Sequence, residues 1–246
     1  MGSSAAPCRA VGGDVTLVRV RESPLPELPH HRMVTIPAGQ IHMRDDRTKA
    51  RWTVQLDHFE LAVFPVTQAL YRAVLGESPA SFAGDDLPVE SVSWLDAVRF
   101  CNALSSRLGQ PARYQIDGEE VALVGGLGGY RLPTEAEWAY ACRAGSDAPR
   151  YGELDTIGWY AGNSGGKPNA VGQKQPNAFG LYDMLGNTWE WCWDQYDPEV
   201  YGAYRVFRGG GWADPERGCL ATNRRRSHPT FAIDDLGFRV AAGPLP

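Results

Sequence analysis

Residues 131–145 read RLPTEAEWAYACRAG, and the fold is decided around them. Thr134 and Glu137 stand in the T-x-x-E spacing of a capping box, in which two otherwise unpaired helix N–H groups are satisfied reciprocally. Trp138, Ala141 and Cys142 then recur on one helical face, and Gly145 supplies the stop. The spacing predicts a short helix whose buried side is built on a tryptophan.

Working outward, two more helices can be placed. One follows Thr67 as N-cap and ends before Gly76. The other starts from Ser93 and carries Trp94, Ala97, Val98, Cys101, Leu104 and Leu108 at helical spacing, until Gly109 and Pro111 stop it. Ahead of them MVTIPAG (33–39), QIHM (40–43) and WTVQLDHFELAVFPV (52–66) read as short strands. Residues 1–31 hold a brief alternation (Val15, Leu17, Val18, Val20) and the Pro-rich run SPLPELPHH, expected to be an arm or linker. Residues 146–246 show turns, glycines and short strands without a helical pattern, with Trp189, Trp191 and Trp193 alternating as on a strand. The expectation is an α+β architecture: an arm over residues 1–31 and one domain over residues 32–246.

The chain has 246 residues, 43% hydrophobic and 22% charged, with a net charge of −5. That balance argues against a dedicated nucleic-acid surface or a basic face for anionic membranes. No apolar run reaches the length of a membrane span. MGSSAAPCRAVGGDV lacks the pattern of a secretory leader, so a cytoplasmic protein is expected. The five cysteines (8, 101, 142, 192, 219) are widely spaced without C-x-x-C, which gives neither a disulfide framework nor a zinc finger. Cys101 and Cys142 fall on helix faces and read as core thiols.

Three stretches carry candidate chemistry. VGGLGGYRLP (124–133) lacks the G-x-x-x-x-G-K-[ST] spacing of a phosphate loop and reads as a glycine-rich turn. In PNAFGLYDMLGNTWEWCWDQY (176–196), Asp183, Asn187 and Glu190 with backbone carbonyls are candidates for the all-oxygen shell that Ca²⁺ prefers, or for a tight turn that satisfies its own backbone. In RGGGWADPERGCLATNRRRS (208–227), Cys219 reads as a thiol nucleophile, a metal ligand or a small core side chain. Arg208, Arg217 and Arg224–Arg226 could grip a carboxylate, a phosphate or a peptide, or pair internally with acids such as Asp234 and Asp235. His228 is the one histidine beside them, and no histidine pair has metal-ligand spacing.

Taken in order, MVTIPAG, FPVTQALYRAVLG, LPVESVSWLDAVRFCNALSSRLG, RLPTEAEWAYACRAG, NAFGLYDMLGNTWEWCWD, RVFRGGGW and LGFRVA resemble the formylglycine-generating enzymes, or sulfatase-modifying factor domains. The resemblance implies a single C-type-lectin-like domain with little regular secondary structure. It also implies a groove floored by the WEW segment and the C-terminal glycine, cysteine and arginine segments. It assigns structural calcium to Asp183 and Glu190 with the carbonyls of Gly186 and Thr188. Family enzymes oxidise a substrate cysteine with O₂ and copper held by two cysteines five residues apart. Here Cys219 matches the second cysteine and Asp214 stands at the first. Gly211 replaces the pocket serine, and Trp189 matches the pocket tryptophan.

Two functions stay open. One is an oxidoreductase using O₂ and copper or iron on a thiol or small molecule, but not generating formylglycine. In it Cys219 is ligand or nucleophile, Trp189 shapes the oxygen pocket, and Arg226 and His228 position the substrate. The iron-dependent sulfoxide synthases on this scaffold carry an H-x-x-x-H-x-E signature that is absent here. The other is a non-catalytic module that binds a peptide or small molecule through Trp212, Asp214, Arg217 and neighbouring arginines. It resembles the variable proteins of diversity-generating retroelements, whose W-x-x-x-x-R-x-C pattern is matched by Trp212, Arg217 and Cys219. A thiol that is partly exposed beside positive charge favours the first reading, and a buried one the second.

Overall fold

The computed structural model describes residues 28–45, 47–124, 126 and 128–244. The first 27 residues, with Cys8 and the Val15–Val20 alternation, lie outside them. Along the chain run β1 (Met33–Ile36), β2 (Gly39–Arg44), β3 (Arg51–Leu56), β4 (Phe59–Ala62), α1 (Gln68–Leu75) and α2 (Trp94–Arg107). Next come β5 (Tyr114–Asp117), β6 (Glu120–Leu123), β7 (Tyr130–Arg131), α3 (Glu135–Arg143) and α4 (Leu154–Ile157). The chain closes with β8 (Trp189–Gln195), α5 (Pro198–Tyr201), β9 (Arg205–Arg208), β10 (Arg224–Ser227), β11 (Leu236–Gly237) and β12 (Ala241–Ala242).

The three expected helices form where their caps stand. Thr67 accepts from the Leu70 N–H, and both Ser93–Asp96 and Thr134–Glu137 make reciprocal capping boxes. At the end of α3 the left-handed residue is Ala144 (φ 45°), with Gly145 continuing the turn. The expectation of no helix beyond Gly145 is corrected by α4, α5 and a 3₁₀ turn at Glu216–Gly218. Each is a single turn, too short to write a period in the sequence.

One four-stranded sheet has the order β1-β4-β12-β7 and the other β10-β9-β8-β11, with β2-β3 and β5-β6 as separate hairpins. Strand β8 organises the site: it pairs antiparallel with β9 and parallel with β11. Its period-2 alternation places Trp189 and Trp191 in the core built on α1, α2 and β11. Cys192 joins the second core, around α3, β2 and β4. Residues 28–31 pack on this body: Leu28 touches the α2 core, and His31 Nε2 lies 3.1 Å from the Tyr130 hydroxyl.

Candidate functional site

The glycines of residues 209–211 follow β9 directly and let the chain pass between β8 and the Cys219 loop. At Gly210 (φ 86°) an added Cβ would lie 2.8 Å from Cys219 Sγ, and at Gly211 it would lie 2.9 Å from Asp235 Oδ2. A serine at position 211 therefore has no room beside Asp235.

Asp214 is the hub of this loop. Its Oδ2 accepts the Trp189 indole N–H at 2.6 Å and the Gly211 amide at 3.0 Å. Its Oδ1 accepts Arg225 Nη2 at 3.1 Å. Arg225 in turn lies over the Trp189 ring, 4.6 Å from its centroid. Asp235 sits alongside, its carboxyl raised to about 6 by burial and then by the Asp214 charge. Cys219 is fully buried, and burial followed by the Asp214 charge pushes its thiol up to about 12. A thiol that stays protonated at neutral pH is a poor nucleophile.

Copper does not fit these residues. Cu(I) selects soft thiolate sulfur, whereas position 214 offers a hard carboxylate already committed to three donors. Iron has no better seat: among the described residues no three His, Cys, Asp or Glu cluster with metal-holding geometry. Trp189 does not open onto an oxygen pocket; it is 1% exposed and closed in by Arg225, Phe207 and Asp214.

The strand alternation of β10 corrects two further assignments. Arg225 faces Asp214 and Trp189, so Arg224 and Arg226 face the opposite side. Arg224 pairs with Glu135 and Asp45, and Arg226 stacks on Tyr201 at 3.7 Å and on Tyr196 at 4.6 Å. His228 bonds Thr230 Oγ1 at 2.8 Å and meets Tyr204 edge-on. Arg226 and His228 thus belong to a tyrosine-lined face away from Cys219, and the arginine beside Asp214 is Arg225. The missed signal was the period of two itself, which makes adjacent arginines diverge. Trp212 is half-buried; its indole N–H donates to the Asp234 carbonyl, and Phe82 packs edge-on against it. Arg217 is exposed in the 3₁₀ turn.

At the calcium positions the resident cation is an arginine. Glu190 Oε1 and Oε2 accept from Arg239 at 2.7 and 2.6 Å, and Oε2 also accepts the Trp138 indole N–H. Asp183 accepts the Gly172 amide at 2.8 Å, and burial raises its carboxyl to about 6. Gly186 (φ 82°) is required because a Cβ would meet the Trp159 carbonyl at 2.4 Å; Thr188 is buried, with its hydroxyl unpartnered. With Glu190 neutralised internally, one carboxylate of the expected oxygen shell is already occupied. Calcium ligation by Glu190 is therefore replaced here by the Arg239 ion pair.

Residues 20–243 match the sulfatase-modifying factor enzyme 1-like domain. The chain belongs to this family. Its relatives include the chaperone protein LppX of Paenibacillus barcinonensis, 34% identical, with 65% of this chain and 71% of LppX aligned. The mouse formylglycine-generating enzyme is 29% identical over 74% of this chain, which spans only 51% of that enzyme. Among solved structures, Treponema denticola variable protein 1 superposes with a TM-score of 0.81 and 32% identity, covering 86% of this chain and 95% of its own. The C-type-lectin-like α+β domain expected from the sequence is thereby established.

Proposed function

We propose that this chain is a non-catalytic binding member of the family, taking a peptide or small-molecule ligand on the surface around Trp212 and Arg225. The observation that carries this reading is the Asp214 hub. It fills the position of the first copper thiol and ties Trp189, Gly211 and Arg225 into one closed network. Cys219 beneath it is left as a packed, protonated side chain.

What remains exposed suits recognition. Trp212 and Phe82 present aromatic surface, Ile233 is 44% exposed, and the Arg225 side chain is 54% exposed beside Asp235. Aromatic side chains with a neighbouring arginine are the composition of binding hot spots. The high similarity to a variable protein supports the same reading.

The test has a chemical and a binding arm. The purified chain, offered Cu(I) and a cysteine-containing peptide, is expected to retain no copper and consume no O₂ above the peptide blank. Peptides selected from a random library against the wild-type protein are expected to bind Cys219→Ala unchanged. They should lose about tenfold or more in affinity for Trp212→Ala and Arg225→Ala. Stoichiometric copper, or O₂ uptake abolished in Cys219→Ala, would instead establish the oxidoreductase.

A further inference from the structure

A further pair of cavities lies on another part of the fold. Between the β2–β3 hairpin, the last turn of α3 and Thr222 opens a cavity of about 560 Å³, lined by His42, Arg44, Arg51, Trp52 and Arg143 among others. A smaller one of about 230 Å³ shares His42, Arg44 and Arg143 and reaches inward to Arg208. Among the described residues, no Asp or Glu lines either cavity. In a chain of net charge −5 this concentration of guanidinium groups is out of character.

Four features set this arrangement apart from an ordinary solvated surface. Arg44 and Arg51 are directly opposite in the hairpin register, which puts two arginine side chains on one face of it. Arg208 is 3% exposed and gives its two Nη groups to Glu135 and the Ala221 carbonyl, but its Nε–H has no partner. A buried donor left unsatisfied is costly and rare. Trp52 is 39% exposed, one of few large apolar side chains left open. Neither Arg51 nor Arg143 makes an ion pair among the described residues. The C-terminal carbonyls of α3 do not compete for Arg143, since Asn177 Nδ2 already donates to Ala141 O and Cys142 O.

We propose that this cavity binds an organic phosphate, a phosphate ester carrying a flat or apolar group. Arg51 and Arg143 would take the phosphate oxygens at one end of the cavity, with Trp52, which leaves β3 on the opposite side from Arg51, against the organic part at the other. A doubly charged phosphate matches several convergent guanidinium groups, whereas a single carboxylate is satisfied by one arginine fork. The cavity volume is that of a small-molecule site. His42, fixed by its 2.9 Å contact with Thr53 Oγ1, adds a polar wall.

Titration calorimetry on the full chain at low ionic strength tests this with AMP, adenosine and inorganic phosphate as probes. AMP is expected to bind saturably, inorganic phosphate more weakly, and adenosine not at all, with affinity falling as salt is added. Arg51→Glu/Arg143→Glu should weaken AMP by about tenfold or more at an unchanged melting temperature. Trp52→Ala should bring AMP down to the level of inorganic phosphate while leaving phosphate itself unaffected. Absence of saturable heat from both AMP and phosphate at millimolar concentration would overturn the proposal. So would adenosine binding as well as AMP, or equal AMP affinity in the charge-reversed variant.

Discussion

At position 219 two effects compete for the thiol. Nearby Arg150 and Arg225 favour the thiolate, while burial and the Asp214 charge oppose it, and the latter prevail. Reactivity follows the thiolate fraction, so in a Cys8→Ala background the four remaining thiols, all buried, should not react with a disulfide reagent at pH 8 until the protein is unfolded. One fast-reacting native thiol that disappears in Cys219→Ala would contradict this. Glu190 poses the complementary case. It and Arg239 are both wholly buried and satisfy each other with two hydrogen bonds. Arg239→Ala leaves an uncompensated buried carboxylate and should cost about 3–5 kcal/mol in urea denaturation. A chelator, by contrast, should leave the wild-type melting temperature unchanged, because Glu190 owes its neutralisation to Arg239 rather than to an added ion. A clear drop in melting temperature would restore the calcium assignment.

At the scale of elements, β10 shows what a strand does to a run of arginines. Arg224 and Arg226 serve the Glu135 and tyrosine side, and Arg225 serves Asp214. A double-mutant cycle on Arg225→Ala and Asp214→Asn should therefore show coupling, and one on Arg226→Ala and Asp214→Asn should show none beyond about 0.3–0.5 kcal/mol. Equal coupling in both cycles would mean that the strand does not separate the two faces. Helices α1, α2 and α3 were legible in the sequence because caps and periodicity lie within a few residues of one another. The direction of β10 was not, since it is set by pairing with β9 across a loop that holds Asp214 and Cys219. The Arg239–Glu190 pair was likewise unreadable: its partners are 49 residues apart, joined only when β11 docks beside β8. What the sequence did disclose about the site was a substitution, Asp214 for a cysteine. It did not disclose that Trp189, Gly211 and Arg225 all converge on that carboxylate.

For the whole molecule, the buried carboxyls set a dependence of stability on pH. Asp194, which accepts the Glu135 amide at 2.6 Å at the start of α3, is raised to about 7 by burial and then by the nearby Glu135 charge. Asp235 is raised to about 6 for a related reason. A carboxyl whose folded pKa exceeds its unfolded value holds a proton in the folded state over a window where the unfolded chain has released it. Between roughly pH 4 and 7 the folded state therefore binds more protons, and stability rises as pH falls through that window. Asp45 acts in the opposite sense, held low by backbone hydrogen bonds and Arg224, so its contribution is lost only on further acidification, below about pH 4. Asp194→Asn keeps an oxygen for the Glu135 amide and removes the charge. Relative to wild type it should raise the melting temperature at pH 8, where folded Asp194 is ionised, and leave it nearly unchanged at pH 4.5, where folded Asp194 already carries its proton. Thermal melts of the two proteins at pH 4.5, 6 and 8 measure this as a difference, in which every group they share cancels. An offset of the same size at all three values would show that Asp194 titrates in the folded protein as it does in the unfolded chain, and that its burial beside Glu135 leaves no mark on stability.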